Sequence, residues 1–239
     1  MKIKKILNFI KENRNIPYPI TDSFNCNKRI AVVGNSEILK DKEYGKIIDD
    51  NDFIIRFNRS PTAGFEKFVG TKTNLRVCGQ GVFENQSYNV PGLEYLGEQA
   101  NYIKNLKNSN ILVLHNCNDE SQYRSNLGKY TSDTNSVFLF NLKYERDIKL
   151  KIISHLNFFK RFQIYRQNKQ FTSGMIVLSM LILKKLKPSV FGFSLNKKSS
   201  FYKSYWQKGG EIKNPVHDLN LENEILNNFI KERKIDYYG

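Results

Sequence analysis

Two asparagines, a Thr-Ser-Gly run and a histidine with a glutamate five positions later are the residues of this 239-residue chain whose types and spacing could do chemistry. Gly34-Asn35-Ser36 follows the apolar run Arg29 to Val33, and Asn58 follows Asp52 to Phe57. A glycine at a strand end lets backbone approach a ligand closely, an amide donates and accepts at once, and a hydroxyl can do either, which suits ribose or phosphate. Thr172-Ser173-Gly174 opens SGMIVLSMLILKKLK, so its hydroxyls can cap a helix whose N–H groups and positive dipole end face an anion. His217 lies in NPVHDLNLENEIL after a Gly-Gly turn, where a loop-borne imidazole titrating near neutrality can serve as a general base. Each feature also has a plain structural account. Gly34 can simply make a turn, Asn58 can cap a turn before Pro61, and Thr172 and Ser173 can cap without a ligand. Asp218 or Asn220 can cap the last helix, with Glu222 in its first turn. The second and third glycines of the dinucleotide fingerprint are missing, so a nicotinamide cofactor is not indicated. His115, ending an apolar strand, and His155, in an apolar helix, read as structural.

The elements that must position these residues alternate. Arg29 to Val33 and Asp52 to Phe57 read as buried strands, Asn110 to His115 and Ser136 to Phe140 as further strands, and Ser189 to Phe193 as another. Helices are expected near Gly92 to Leu106, over Ile148 to Phe162, from Ser173 until Pro188 closes the segment, and over Leu221 to Lys234. This order predicts an α/β class: a single Rossmann-like α/β/α sandwich with a mostly parallel central sheet. Ligands of such sheets sit at the carboxyl ends of the strands, where Gly34, Asn58 and Ser194 would cluster. Ahead of the domain at 17–239, residues 1–16 hold MKIKKILNFIKENR, with Ile3, Ile6, Leu7 and Ile10 at helical spacing and four lysines largely off that stripe. This basic amphipathic helix either docks on the domain or lies on an anionic membrane.

A net charge of +15, from 38 Lys and Arg against 23 Asp and Glu, suits nucleic acid, an anionic membrane or a phosphorylated substrate alike. Zinc-finger spacing, an RNA-recognition aromatic pattern and a dense basic arm are all missing, so no nucleic acid is expected. Cys26, Cys78 and Cys117 fit neither a disulfide framework nor a zinc site and read as free thiols in a reducing compartment. No D-x-D lies between strands and the three histidines are far apart, so neither a metal nor a cofactor is expected. No run approaches the roughly 18 apolar residues of a membrane span, and the N-terminus lacks the continuous apolar block of a secretory signal.

Together these segments resemble the sialylmotifs of the glycosyltransferase family 29 sialyltransferases, which move sialic acid from CMP-sialic acid to a glycan hydroxyl. Ala31 to Thr73 resembles the large motif, Thr172 to Ser194 the small motif and His217 to Glu222 the terminal His-x-x-x-x-Glu motif, in the family's order. The resemblance implies a variant of the GT-A type of fold and an inverting, metal-independent reaction. It implies that Asn35 and Ser36, beside Gly34, contact the ribose and phosphate side of CMP, and that Asn58 reaches the phosphate. Thr172, Ser173 and Gly174 would hold the cytidine and the sugar carboxylate, Phe193 and Ser194 would border the cytosine, and His217 would be the base, with Glu222 completing its motif.

Two departures shape the expectation. Where animal members carry the cysteines of a disulfide, this chain has Ile30 and Lys185, which suits a reducing cytosol. The family's third motif is matched only loosely by Lys203-Ser204-Tyr205-Trp206; its histidine is absent, and Lys203 is expected to stabilise the departing phosphate as a point cation. The donor is CMP-sialic acid or, with the same chemistry, CMP-Kdo or another CMP-ulosonic acid. A reading of another class is a non-catalytic CMP-sugar-binding protein. The acceptor is expected to be a bacterial surface glycan precursor, lipid-linked or free, such as a lipooligosaccharide or capsule precursor, with Tyr165, Gln170 and Tyr205 as candidate contacts. The expected location is the cytoplasm, with peripheral association at the inner membrane face.

Overall fold

The computed structural model describes residues 28–58, 60–79, 110–116, 137–156, 161, 164, 170–195, 201–206, 212–213 and 217–239. The expected helix within residues 1–16, the one near Gly92 to Leu106, and Tyr165 lie outside the described residues.

Among the described residues the strands are β1 (Ile30–Val33), β2 (Phe53–Phe57), β3 (Leu75–Gly79), β4 (Asn110–Asn116), β5 (Val137–Asn141), β6 (Ser189–Phe191), β7 (Phe201–Tyr202), β8 (Ile212–Lys213) and β9 (Asp236–Tyr238). The helices are α1 (Gly45–Asp49), α2 (Glu66–Val69), α3 (Leu142–Ile152), α4 (Ser173–Leu183) and α5 (Leu219–Lys231), with 3-10 turns at Glu37–Asp41 and Ile153–His155. Seven strands form one sheet in the order β5-β4-β3-β2-β1-β6-β9, and every neighbouring pair is parallel. β7 and β8 pair antiparallel apart from it.

The parallel sheet explains the uniform apolarity of β1. In β1, Ile30 and Val32 pack into one core and Ala31 and Val33 into another, so both faces of the strand are covered. The first core takes α4, Ile148 and Ile152 of α3, and Leu221, Ile225, Leu226 and Phe229 of α5, one stripe of an amphipathic helix. Across the sheet, Leu39, Tyr44, Ile48, Val69, Phe191 and Tyr205 form the second core. Helix α4 is buried from Met175 to Leu181 because it is apolar on all sides.

Both α4 and α5 end in a Schellman turn whose left-handed residue is not glycine. Lys185 (φ 61°) donates to Ile182 O and Leu186 N to Leu181 O; Arg233 (φ 54°) donates to Ile230 O and Lys234 N to Phe229 O.

Three expectations need correction. Helix α3 starts at Leu142, not Ile148, because its buried stripe includes Glu145 (6% exposed) and Asp147 (3%), which break the apolar period. β3 is a central strand that the expected pattern omitted, since Arg76 interrupts its apolar run. The strand from Ser189 ends at Phe191, where Gly192 (φ 67°) turns the chain.

The chain runs outward from β1 through β5, then returns to place β6 on the other side of β1. That reversal between β1 and β6 opens a crevice at their carboxyl ends. Gly34, Asn58 and Ser194 all follow strands at this edge.

Candidate active site

One wall of the crevice is built from the loops after β1, β2 and β6. Gly34 N donates to Phe191 O at 2.7 Å and Ser36 N to Gly192 O at 3.1 Å. A Cβ on Gly34 would sit 2.4 Å from Gly192 O and 2.9 Å from the Phe193 ring, so only glycine allows the two loops to touch. The expected close approach is therefore of backbone to backbone. Asn35 donates from Nδ2 to Phe57 O at 3.5 Å, and its buried Oδ1 has no hydrogen-bond partner among the described residues. A buried amide oxygen left in that state favours a donor arriving from a ligand. The Ser36 hydroxyl caps the 3-10 turn through Ile38 N at 3.5 Å.

Asn58 adopts φ 47°, a left-handed conformation that asparagine tolerates better than other side chains with a Cβ. Its Oδ1 accepts from Gly79 N at 2.9 Å, which turns the amide NH2 away as the group able to donate elsewhere. The buried Arg76 guanidinium holds the same loop, with Nη1 donating to Asn58 O at 2.8 Å, Ser60 O at 3.1 Å and Ser60 Oγ at 3.0 Å. Arg76 is a supporting residue that the sequence reading missed. An arginine between Leu75 and Val77 was the available signal, because a charge inside an apolar strand needs buried acceptors.

The opposite wall comes from α4 and α5. Thr172 N-caps α4, its Oγ1 accepting from Met175 N at 3.2 Å. The same hydroxyl donates to Glu222 Oε2 at 2.7 Å, while Thr172 N donates to Glu222 Oε1 at 2.6 Å. Both protons of Thr172 thereby face Glu222. Ser173 and Gly174 supply first-turn N–H groups that have no intrahelical acceptor by helix geometry. The Phe193 ring lies against Gly174, where a Cβ would come within 2.9 Å, and meets Phe57 edge-on at 6.2 Å between centroids. The Phe193 carbonyl accepts from the Tyr237 hydroxyl at 2.5 Å, and Ser194 is exposed beyond it.

His217 forms a parallel bridge with Gln170, and its Nδ1 lies 3.1 Å from Gln170 O. A carbonyl only accepts, so Nδ1 carries the proton, and in the neutral ring the lone pair resides on Nε2. Gln170 thus enters the site through its backbone, its side chain being exposed. Glu222 is buried, and burial pushes its carboxyl up to about 7 against the lowering effect of the Thr172 hydrogen bonds. Through both oxygens it clamps Thr172, the N-cap of α4.

Lys203 belongs to a segment zipped onto the Asn35 loop. Glu37 N donates to Lys203 O at 3.1 Å, Tyr205 N to Asn35 O at 3.0 Å, and Lys203 Nζ pairs with Glu37 at 3.0 Å. Tyr205 is corrected: its side chain is 0% exposed in the second core and its hydroxyl donates to Pro61 O, so it cannot touch an acceptor.

Neutral amides, a helix N-terminus and an oriented imidazole thus lie at the switch point of a parallel α/β sheet. The family model described as glycosyltransferase family 29 (sialyltransferase) matches residues 2–234. The chain belongs to that family. It is 26% identical over 230 residues to mouse CMP-N-acetylneuraminate-beta-galactosamide-alpha-2,3-sialyltransferase 2, covering 93% of this chain and 59% of the relative. It is 30% identical over 206 residues to the chimpanzee (Pan troglodytes) sialyltransferase 1 of the same description, covering 83% and 54%. The chain thus spans under three fifths of the length of these relatives. The fold resembles a crystal structure of a mammalian sialyltransferase in complex with Gal-beta-1-3GalNAc-ortho-nitrophenol, with a TM-score of 0.64 at 18% identity, covering 98% of this chain and 78% of that one.

Proposed function

We propose that this chain is an inverting, metal-independent sialyltransferase that moves sialic acid from CMP-sialic acid to a glycan hydroxyl, with His217 as general base. The observation that carries the reading is the Nδ1 contact of His217 with Gln170 O, two residues before the Glu222-clamped Thr172. In the neutral ring that contact places the lone pair on Nε2, on a loop tied to the segment that leads into α4. In this mechanism Nε2 takes the acceptor proton as the oxygen bonds the anomeric carbon. The bond from that carbon to the CMP phosphate breaks and its electron pair leaves with CMP. The N–H groups of Ser173 and Gly174, the amides of Asn35 and Asn58, and Lys203 after release from Glu37 would offset the charge of donor and leaving group. Phe193 and Ser194 would border the base.

The same nucleotide chemistry would accept CMP-Kdo or another CMP-ulosonic acid, because the sugar tail lies beyond these residues. The acceptor in this reading is a surface glycan precursor, lipid-linked at the inner face of an envelope, with the +15 charge favouring an anionic surface. Transfer from CMP-sialic acid and CMP-Kdo to a panel of galactosides and other glycans tests the donor, with His217→Ala as control. CMP binding without transfer or donor hydrolysis, unaffected by His217→Ala, would establish the binding protein instead. Removal of residues 1–14 should weaken binding to anionic vesicles if the membrane reading holds.

A further inference from the structure

The tripeptide Gln170 to Thr172 joins the imidazole to the start of α4, and it is gripped at each residue from a different element. His217 holds Gln170 O and Glu222 holds both protons of Thr172. Phe171, 3% exposed, lies between them, and the Lys149 ammonium stands 5.3 Å from the centre of its ring. Lys149 comes from α3, which packs on α4, and sits one residue after the fully buried Ile148. Lys149 is itself half-buried.

We propose that Lys149 is a positioning residue, whose cation over Phe171 ties α3 to the Gln170–Thr172 segment and holds the Glu222 clamp and His217 in register. This rests on the proposed transfer reaction and adds a residue to it. A cation beside an aromatic face is attracted by the ring quadrupole, and more strongly when partly withdrawn from water. Two carboxylates act on it as well: Asp218, the N-cap of α5, and Glu222, one turn further on. The ammonium is thus shared between a ring and two acids that flank the imidazole loop. Burial lowers its pKa while Asp218 and Glu222 push back, and in return it favours the ionised form of Glu222 against both burial and Asp218. As the carboxylate Glu222 accepts strongly through both oxygens, whereas protonation turns one of them into a donor, so a neighbouring cation favours the form that takes both Thr172 protons.

The test uses the full chain. The Glu222 carboxyl is titrated by 13C NMR in wild type, Lys149→Met and Lys149→Arg, and transfer rates are measured in parallel. Lys149→Met should raise the Glu222 midpoint by about one unit and lower kcat roughly tenfold, with the KM for CMP-sialic acid changed less than twofold. Lys149→Arg, which retains a cation able to stack on a ring, should restore both. If Lys149→Met does not fold, Lys149→Gln takes its place. An unchanged Glu222 midpoint with unchanged kcat in a folded variant overturns the proposal, as does failure of Lys149→Arg to restore either. If wild type transfers nothing from CMP-sialic acid, the proposed activity fails by itself, and the Glu222 titration still decides the role of Lys149.

Discussion

The two walls of the crevice are held by different chemistry. On the β1–β2 side, Asn35, Ser36 and Asn58 are neutral, and backbone carbonyls, a buried arginine and a glycine contact fix them. On the α4–α5 side the anchors are ionisable, with Glu222, Asp218, Lys149 and His217 arranged around Thr172. A neutral wall has the same polarity at every pH near neutrality. An ionisable wall would place the proton dependence of the proposed transfer on the side that would face the acceptor.

The largest expected effect tests whether the second wall carries the chemistry. His217→Ala should lower kcat by roughly 10²–10⁴ with little change in donor KM, as steady-state rates would show. A loss confined to KM would assign His217 to binding and dissolve the contrast.

Glu222→Gln comes next. Burial raises the Glu222 carboxyl from 4.5 to about 7, so the folded chain holds that proton more tightly than the unfolded chain. Its contribution to stability is full below about pH 4.5 and is lost as pH rises through 7. Relative to the variant, wild type should therefore lose up to about 3 kcal/mol between pH 4.5 and 8, read from urea midpoints. Parallel pH profiles would mean that Glu222 titrates as in the unfolded chain.

Gly34→Ala probes the neutral wall. The added Cβ meets a backbone oxygen at 2.4 Å, so the loops must part. A stability loss of about 2 kcal/mol and a severalfold rise in donor KM are expected, both independent of pH. A pH-dependent loss would show that the walls are coupled.

The smallest effect lies outside both walls. Lys185→Gly relieves the left-handed turn after α4 and should add about 0.5 kcal/mol, or roughly 1–2 °C in Tm, with no change in rate. A change in rate would mean that the far end of α4 communicates with its N-terminus.

β1 was legible because double-sided burial makes it uniformly apolar, and β2 because the apolar run Phe53 to Ile55 precedes its buried Arg56. Helix α3 and strand β3 were read less well for one reason. Each buries charge, at Glu145 and Asp147 in one and Arg76 in the other, and hydrophobic period is blind to a buried ion with partners distant in sequence. The same limit hid Lys149. His217 and Glu222 were visible by spacing, but spacing does not show that one grips Gln170 and the other Thr172. Tyr205 was misassigned because a tyrosine near a site looks the same in sequence whether it faces water or Pro61.

The reversal between β1 and β6 also orders events in time. β1 closes at Val33 and its second neighbour begins only at Ser189, so one edge of β1 stays unpaired until most of the chain has been made. At ordinary rates of synthesis that interval is on the order of 10 s. The contact of Gly34 with Gly192 cannot exist before then, so the crevice is a late product of folding. The edge of Ile30 to Val33 is open to mispairing in the nascent chain, and slowed translation ahead of Ser189 should aggravate aggregation before it affects the activity of molecules that have folded.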